Sequence, residues 1–244
     1  MSIHQHTLPD LASSAQSCAR HILAVLDQAL AGHDQATFAV SGGSSPVPVF
    51  EYLAEARFNW SRVHLFWVDE RAVPPFHEQS NFRMVDRAFI IPSGFPRRQA
   101  HRVYTELVPE RAAERYAEDI RDVFGIDESQ VPKFDLIHLG MGPDGHTASL
   151  FPGDPLIADR EHITAATYVE RLRQNRITLM PSVLLAAHHL LFFAPGADKA
   201  ETTRAVFEDR FDPSKLPAQL PSHLGRSVAW FNDAPAAALV SYAR

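Results

Sequence analysis

Phe134-Asp135-Leu136-Ile137-His138-Leu139 runs directly into Gly140-Met141-Gly142-Pro143-Asp144-Gly145-His146-Thr147. The first six residues read as a buried strand, and Gly140 to Gly145 formally match G-x-G-x-x-G. Whether that loop is a dinucleotide-binding turn decides the fold. Such a turn must open a long helix whose N-terminus receives the pyrophosphate. Here Phe151-Pro152-Gly153-Asp154-Pro155 breaks the chain soon afterwards, and Pro143 and Asp144 place a rigid bend and a negative charge where pyrophosphate would approach. The loop therefore reads as a glycine-shaped scaffold that presents Asp144 and His146 to a pocket.

Outward from this stretch the pattern alternates. Leu11, Ala15, Cys18, Ile22, Leu26 and Leu30 fall at mostly helical spacing, and Gly32 ends the run. Thr37 to Val40 is a short apolar strand leading into Ser41-Gly42-Gly43-Ser44-Ser45-Pro46, and Val49, Phe50 and Leu53 continue as a helix behind Pro46. Val63 to Val68 is a second strand, with Asp69-Glu70-Arg71 at its carboxyl end. Ser80 and Asn81 mark a helix start, with a capping role as the default. Residues 109 to 124 form an amphipathic surface helix with Ala113, Tyr116, Ile120 and Val123 on its apolar face. Further strands fall at 176–180, 189–193 and 228–231, with Lys199 at the start of a helix between the last two. The amino terminus carrying His4 and His6 reads as loose, and the proline-rich stretch Asp212 to Pro221 reads as a surface loop. Ala234 to Tyr242 is left open between edge strand and helix.

Apolar strands alternating with helices predict an α/β fold: a mainly parallel, Rossmann-like sheet with helices on both faces. No internal repeat or linker divides the chain, so residues 1–244 are expected to form a single domain. The polar clusters follow the strands, and the carboxyl edge of such a sheet is where ligands bind.

Composition narrows the function classes. Hydrophobic residues make up 45% of the 244 and charged residues 21%, which is ordinary for a globular chain. A formal net charge of −6 argues against a nucleic-acid partner. Any anionic ligand must then find its positive charge locally. The lone Cys18 permits no intramolecular disulfide and no cysteine zinc site. No apolar run approaches the ~20 residues of a membrane span, and no leader-like segment is apparent. The expected setting is cytoplasmic, without a membrane partner.

Ser41 to Pro46 connects a strand to a helix through small residues, so its N–H groups and the helix N-terminus suit an anion such as phosphate. It lacks the Gly-Lys-Ser/Thr of a Walker loop, and a tight serine-capped turn is an equal reading. His146 is the best general base of the 13 histidines. Imidazole titrates near ~6.5 and accepts a proton at cellular pH, and here it follows glycines and a carboxylate. Arg71 suits a substrate contact, with an acidic neighbour orienting its guanidinium. Arg176 and Lys199 are candidates for the local positive charge.

Together, Ser41 to Pro46, Trp67-Val68-Asp69-Glu70-Arg71, Ser80-Asn81-Phe82-Arg83-Met84, Gly140 through Pro152, Arg176-Ile177-Thr178-Leu179 and Gly196-Ala197-Asp198-Lys199 resemble the 6-phosphogluconolactonase family. The resemblance runs from the first strand to Lys199. It implies a fold related to the glucosamine-6-phosphate deaminases, with no metal and no organic cofactor. It implies hydrolysis of 6-phosphoglucono-δ-lactone to 6-phosphogluconate in the oxidative pentose phosphate pathway. His146 would activate water, with Asp144 either orienting the imidazole or contacting the sugar, and Arg71 near the ligand. Ser41, Gly42, Gly43, Ser44, Arg176 and Lys199 would meet the phosphate, with Asp69 in the same pocket.

Two alternatives accompany this expectation. Deaminases of the superfamily follow Asp-Gly-His with Asn-Glu-Pro, whereas Ser149-Leu150-Phe151-Pro152 stands here and supplies no acid. A non-catalytic sugar-phosphate sensor would use the same pocket without turnover, ordinarily with a DNA- or partner-binding extension. The expected partner is a small phosphorylated lactone, and a monomer is favoured.

Overall fold

In chain order the computed structural model, which describes residues 3–241, forms strands β1 (Ile3–Leu8), β2 (Ala36–Val40), β3 (Val63–Trp67), β4 (Asp69–Arg71), β5 (Ala100–His101), β6 (Leu136–Leu139), β7 (Thr164–Val169), β8 (Gln174–Leu179), β9 (His189–Phe193) and β10 (Val228–Asp233). Seven of these make one parallel sheet in the order β1-β10-β9-β6-β2-β3-β5. The helices are α1 (Leu11–Gly32), α2 (Val47–Glu55), α3 (Asn81–Val85), α4 (Ile91–Ser93), α5 (Pro109–Phe124), α6 (Pro181–Ala186), α7 (Ala200–Glu208) and α8 (Gln219–Leu224). A π-helical segment, Asp86–Ile90, joins α3 to α4.

Side chains of a strand alternate between faces, and the two cores separate accordingly. Phe38, Val40, Leu65, Trp67, Leu136 and Phe193 meet α1, α2 and the aromatic residues of the 82–95 segment. Ala39, Phe66, Ile137, Leu139, Phe192 and Trp230 meet α5 and the segments carrying Val183, Val206 and Leu220. Every one of these strand residues is essentially removed from water, as a parallel sheet covered on both faces requires. Helix α1 begins where Asp10 accepts the Ser13 N–H at 2.7 Å. It buries Ala15, Cys18, Ile22 and Leu26 as the spacing predicts, while Leu11 stays exposed. Helix α5 spans the predicted residues 109–124 and buries Ala113, Tyr116 and Ile120.

Four segments depart from the expectations. The amino-terminal residues are not loose: Ile3–Leu8 pairs with β10 from Ile3↔Val228 to Leu8↔Asp233. An edge strand needs main-chain partners rather than an apolar pattern, and only its two end residues are partly buried. The His6 ring adds a stack on Phe231, with centroids 4.5 Å apart. The 176–180 strand is not part of the parallel sheet. Its residues up to Leu179 belong to β8, the centre of a separate antiparallel sheet in the order β4-β8-β7. Val68 turns the chain from β3 into that second sheet, so Asp69, Glu70 and Arg71 are strand residues rather than loop. The 212–221 stretch is surface loop only as far as Leu216, because Pro217, Ala218, Gln219 and Leu220 are buried at the start of α8. Residues 234–239 are turns, neither strand nor helix; Tyr242 lies outside the described residues.

One buried hydroxyl ties α5 to the end of β3. Tyr116 Oη donates to the Trp67 carbonyl at 2.7 Å and accepts the Trp67 N–H at 2.8 Å. The Tyr116→Phe variant strands both main-chain groups in the core. A loss of about 1–3 kcal/mol in chemical denaturation, with an unchanged m value, is the expected outcome.

Candidate active site

Strands β2 and β6 are neighbours, yet the chain leaves β2 towards β3 and β5, and leaves β6 towards β9 and β10. This reversal opens a crevice at the carboxyl ends of the two strands, where their following loops diverge. Ser41 to Pro46 follows β2, and Gly140 to Thr147 follows β6. The Ser41 N–H donates to the His138 carbonyl at 3.0 Å, which closes the ladder just below the split. The cavity above it, about 240 Å³, is lined by both loops together with Asp69, Arg71, Asn81, Arg176 and Lys199.

No helix follows Gly140 to Gly145; the loop folds back on itself. The Gly142 N–H donates to the His146 carbonyl at 2.9 Å, and the Gly145 N–H to the Gly142 carbonyl at 2.9 Å. Thr147 Oγ1 returns to the Gly140 carbonyl at 2.8 Å. Two outside contacts brace it: Thr202 Oγ1 donates to the Pro143 carbonyl at 2.5 Å and the Ala218 N–H to the Gly145 carbonyl at 2.9 Å. The second comes from the segment expected to be mere surface loop.

Inside this brace His146 Nδ1 lies 2.5 Å from Asp144 Oδ1. A carboxylate only accepts, so Nδ1 carries the proton, and in the neutral imidazole the lone pair falls to Nε2. Glycine at 142 is obligatory for this pair. A Cβ there would sit 2.1 Å from the imidazole and 2.7 Å from the Asp144 carboxylate. The Phe151 ring stacks on the imidazole with centroids 4.3 Å apart. Burial alone would raise the Asp144 pKa. The hydrogen bond and charge of His146, its N–H and the Arg171 charge outweigh burial and bring it down to about 2. The carboxylate is therefore ionised throughout the neutral range.

The opposite wall is cationic. Arg71 and Arg176 are direct cross-strand partners in β4 and β8, so both project from the same face of the small sheet. Like charges so placed repel. Asp69 offsets part of this, its Oδ2 lying 3.6 Å from an Arg176 nitrogen, with both side chains buried. Burial pushes the Arg176 pKa down while Asp69 raises it. The Asp69 oxygens are already engaged, Oδ2 by Ser149 Oγ at 2.7 Å and Oδ1 by Asn81 Nδ2 at 3.3 Å. Lys199, at the N-terminus of α7, is 11% exposed, and its ammonium meets Asp198 at 3.2 Å. Across the cavity lies the serine-glycine loop. Ser41 Oγ is buried with no protein partner, as is Asn81 Oδ1. A Cβ at Gly42 would fall 2.0 Å from the Asn81 side chain, so that glycine lets the loop pack against α3.

Glu70 does not orient Arg71, contrary to the expectation of an acidic neighbour holding the guanidinium. The Arg71 guanidinium donates instead to the Gln79 carbonyl at 2.6 Å. Glu70 is buried and accepts the N–H groups of Arg71, Asn81 and Phe82 together with Ser80 Oγ, each within 3.1 Å. Burial pushes its pKa up, against those N–H donors. It fastens β4 to the start of α3, and the Arg83 N–H bonds to Ser80 Oγ at 3.2 Å in the predicted cap.

The cavity thus gathers His146, Arg71, Asp69, Arg176, Lys199 and Ser41 to Ser44, while Asp144 sits behind the imidazole and outside the lining. Sequence reasoning missed Arg171, Phe151 and the ligand-facing side of Asn81. Asn81 stood within a quoted motif with only a capping role, and Phe151 within one that gave its ring no role. Arg171 occupies a polar turn that carries no pattern signal at all.

A family profile described as glucosamine-6-phosphate isomerases/6-phosphogluconolactonase matches residues 9–230. A 6-phosphogluconolactonase of Synechocystis sp. is 34% identical over 209 residues, covering 85% of this chain and 86% of the relative. One from Rattus norvegicus is 38% identical over 184 residues, covering 75% and 70%. The crystal structure of a 6-phosphogluconolactonase from Thermotoga maritima superposes with a TM-score of 0.83 at 30% identity, covering 95% of this chain and all of that one. With the family profile spanning nearly its whole length, the chain belongs to the glucosamine-6-phosphate isomerase/6-phosphogluconolactonase family.

Proposed function

We propose that this protein hydrolyses 6-phosphoglucono-δ-lactone to 6-phosphogluconate, a step of the oxidative pentose phosphate pathway. One observation carries the reading. A carboxylate-backed imidazole with a free Nε2 faces the same small cavity as three cationic side chains and a strand-to-helix loop suited to phosphate. The phosphate meets the Ser41 hydroxyl, the N–H groups of Gly42 to Ser44, the N-terminus of α2, Arg176 and Lys199. That places the lactone ring towards His146.

His146 Nε2 takes a proton as water attacks the lactone carbonyl. A new C–O bond forms and the carbonyl electrons move onto oxygen. Arg71 stabilises that oxyanion by its fixed charge. As the tetrahedral intermediate collapses, the ring C–O bond breaks and the imidazolium returns its proton to the departing ring oxygen. Asp144 stabilises the imidazolium throughout and remains ionised. No acid beyond these is required. Ser149, where the deaminases carry their ring-opening motif, is turned towards Asp69. Because lining residues come from positions 41 to 199, we read the chain as one functional unit, working as a monomer in a cytoplasmic setting.

Freshly generated 6-phosphogluconolactone, corrected for spontaneous hydrolysis, tests the activity, with glucosamine 6-phosphate in parallel. Turnover of the amino sugar but not the lactone overturns the reading, and tight binding without turnover of either favours a sensor. The His146→Ala variant is expected to lose ~10²–10⁴-fold in kcat with KM near that of the parent; near-normal turnover removes His146 from the base role. Lys199→Ala is expected to raise KM by ~10–100-fold with a much smaller change in kcat. A loss confined to kcat contradicts phosphate anchoring.

A further inference from the structure

Four cations lie near the dyad, and three of them line the cavity. The fourth, Arg171, does not. It sits on a 3-10 turn, Glu170–Leu172, that connects β7 to β8. Hairpin pairing up to Val169↔Gln174 sets the turn's place, and the Arg173 N–H closes it on the Glu170 carbonyl at 3.1 Å. From there the guanidinium reaches back to Asp144, with Nη2 2.5 Å from Oδ2. Its Cζ lies 4.7 Å from the centroid of Phe151, the ring on which the imidazole stacks. One side chain therefore touches both groups that hold His146: the carboxylate at Nδ1 and the ring against its face.

We infer that Arg171 is a positioning residue of the hydrolytic reaction, acting on His146 through Asp144. The inference rests on the lactonase reading above. A carboxylate with one bonded oxygen rotates freely about its last torsion, because that torsion is broad. Pairing Oδ2 with Arg171 leaves Oδ1 directed at Nδ1, which keeps Nε2 unprotonated and aimed at water. The positive charge also offsets the cost of keeping Asp144 ionised in its half-buried place. Arg171 itself is 51% exposed, and such a pair adds little to global stability. Its removal should therefore be felt in turnover rather than in folding. Away from the cavity it borders a separate cleft, so it is not a fourth phosphate anchor.

Steady-state lactonase kinetics on Arg171→Gln, Arg171→Lys, Asp144→Asn and the Arg171→Gln/Asp144→Asn double variant test this. Arg171→Gln should lower kcat by ~5–20-fold with KM within ~2-fold and the thermal midpoint unchanged. Arg171→Lys should restore most of the loss. In the Asp144→Asn background, adding Arg171→Gln should change kcat by less than ~2-fold, because the two residues act as one unit. The downfield proton resonance of the Nδ1–H should weaken in Arg171→Gln, a change that loss of a merely structural surface contact would not produce. Unchanged kcat in Arg171→Gln, a rise in KM alone, or a full effect persisting in the Asp144→Asn background would each overturn the inference. The two readings fail separately. A large kcat loss in Asp144→Asn without one in Arg171→Gln removes Arg171 alone, whereas an undiminished kcat in Asp144→Asn removes the dyad mechanism as well.

Discussion

The parallel pairing of β2 with β6 is the constraint on which the rest depends. Phe38, Ala39 and Val40 lie opposite Leu136, Ile137 and His138. At the other end of the pair, Thr37 donates its N–H and hydroxyl to Asp135, both at 2.8 Å. With that register held at the base and Ser41 bonded to the His138 carbonyl at the top, both loops start at a common height. Their divergence is what makes a cavity. A one-residue slip would turn His138 and the apolar residues of β6 to the wrong faces of the sheet.

Charge supplies the second theme. A protein of net charge −6 has concentrated Arg71, Arg176 and Lys199 around one small space. The arginines face each other across an antiparallel pair, where like charges cost stability. Asp69 relieves the strain only in part, and its oxygens are shared with Ser149 and Asn81. On the proposed reading, a bound phosphate balances that charge. Glu70 carries the mechanical load beside it, fastening α3 so that the Arg71 strand and the serine loop keep their distance.

The short 140–147 loop is organised by close approach more than by flexibility. Gly142 is there because the imidazole and the Asp144 carboxylate occupy the space of its missing side chain. Thr202 and Ala218 then hold the loop from outside, so that α7 and the residue preceding α8 also serve the site. The second sheet does likewise, delivering Arg176 from β8 to the cavity and Arg171 from the adjoining turn to the back of the dyad.

The strands and long helices were legible because burial on both faces leaves continuous apolar runs, and because helix ends such as Gly32 and Pro109 are local chemistry. His146, Asp144, the serine loop, Arg176 and Lys199 were legible as motifs. Strand β1 was not, since an edge strand is held by main-chain bonds that any side chains permit. Nor was the second sheet, because the apolar run at Ile177–Leu179 reads the same in parallel and antiparallel company. Adjacency suggests that an acidic neighbour orients Arg71, but successive strand residues point to opposite faces, and tertiary contact gives Glu70 to α3 instead. By itself the sequence determined the alternating α/β order, the chemistry of the loops and the presence of an imidazole beside a carboxylate, all of which depend on neighbours along the chain. Only the tertiary structure decided that Asp144 lies behind the imidazole, that two arginines oppose each other and that Arg171 stands against the dyad. Those relations depend on strand register and on segments distant in sequence, which no local pattern encodes.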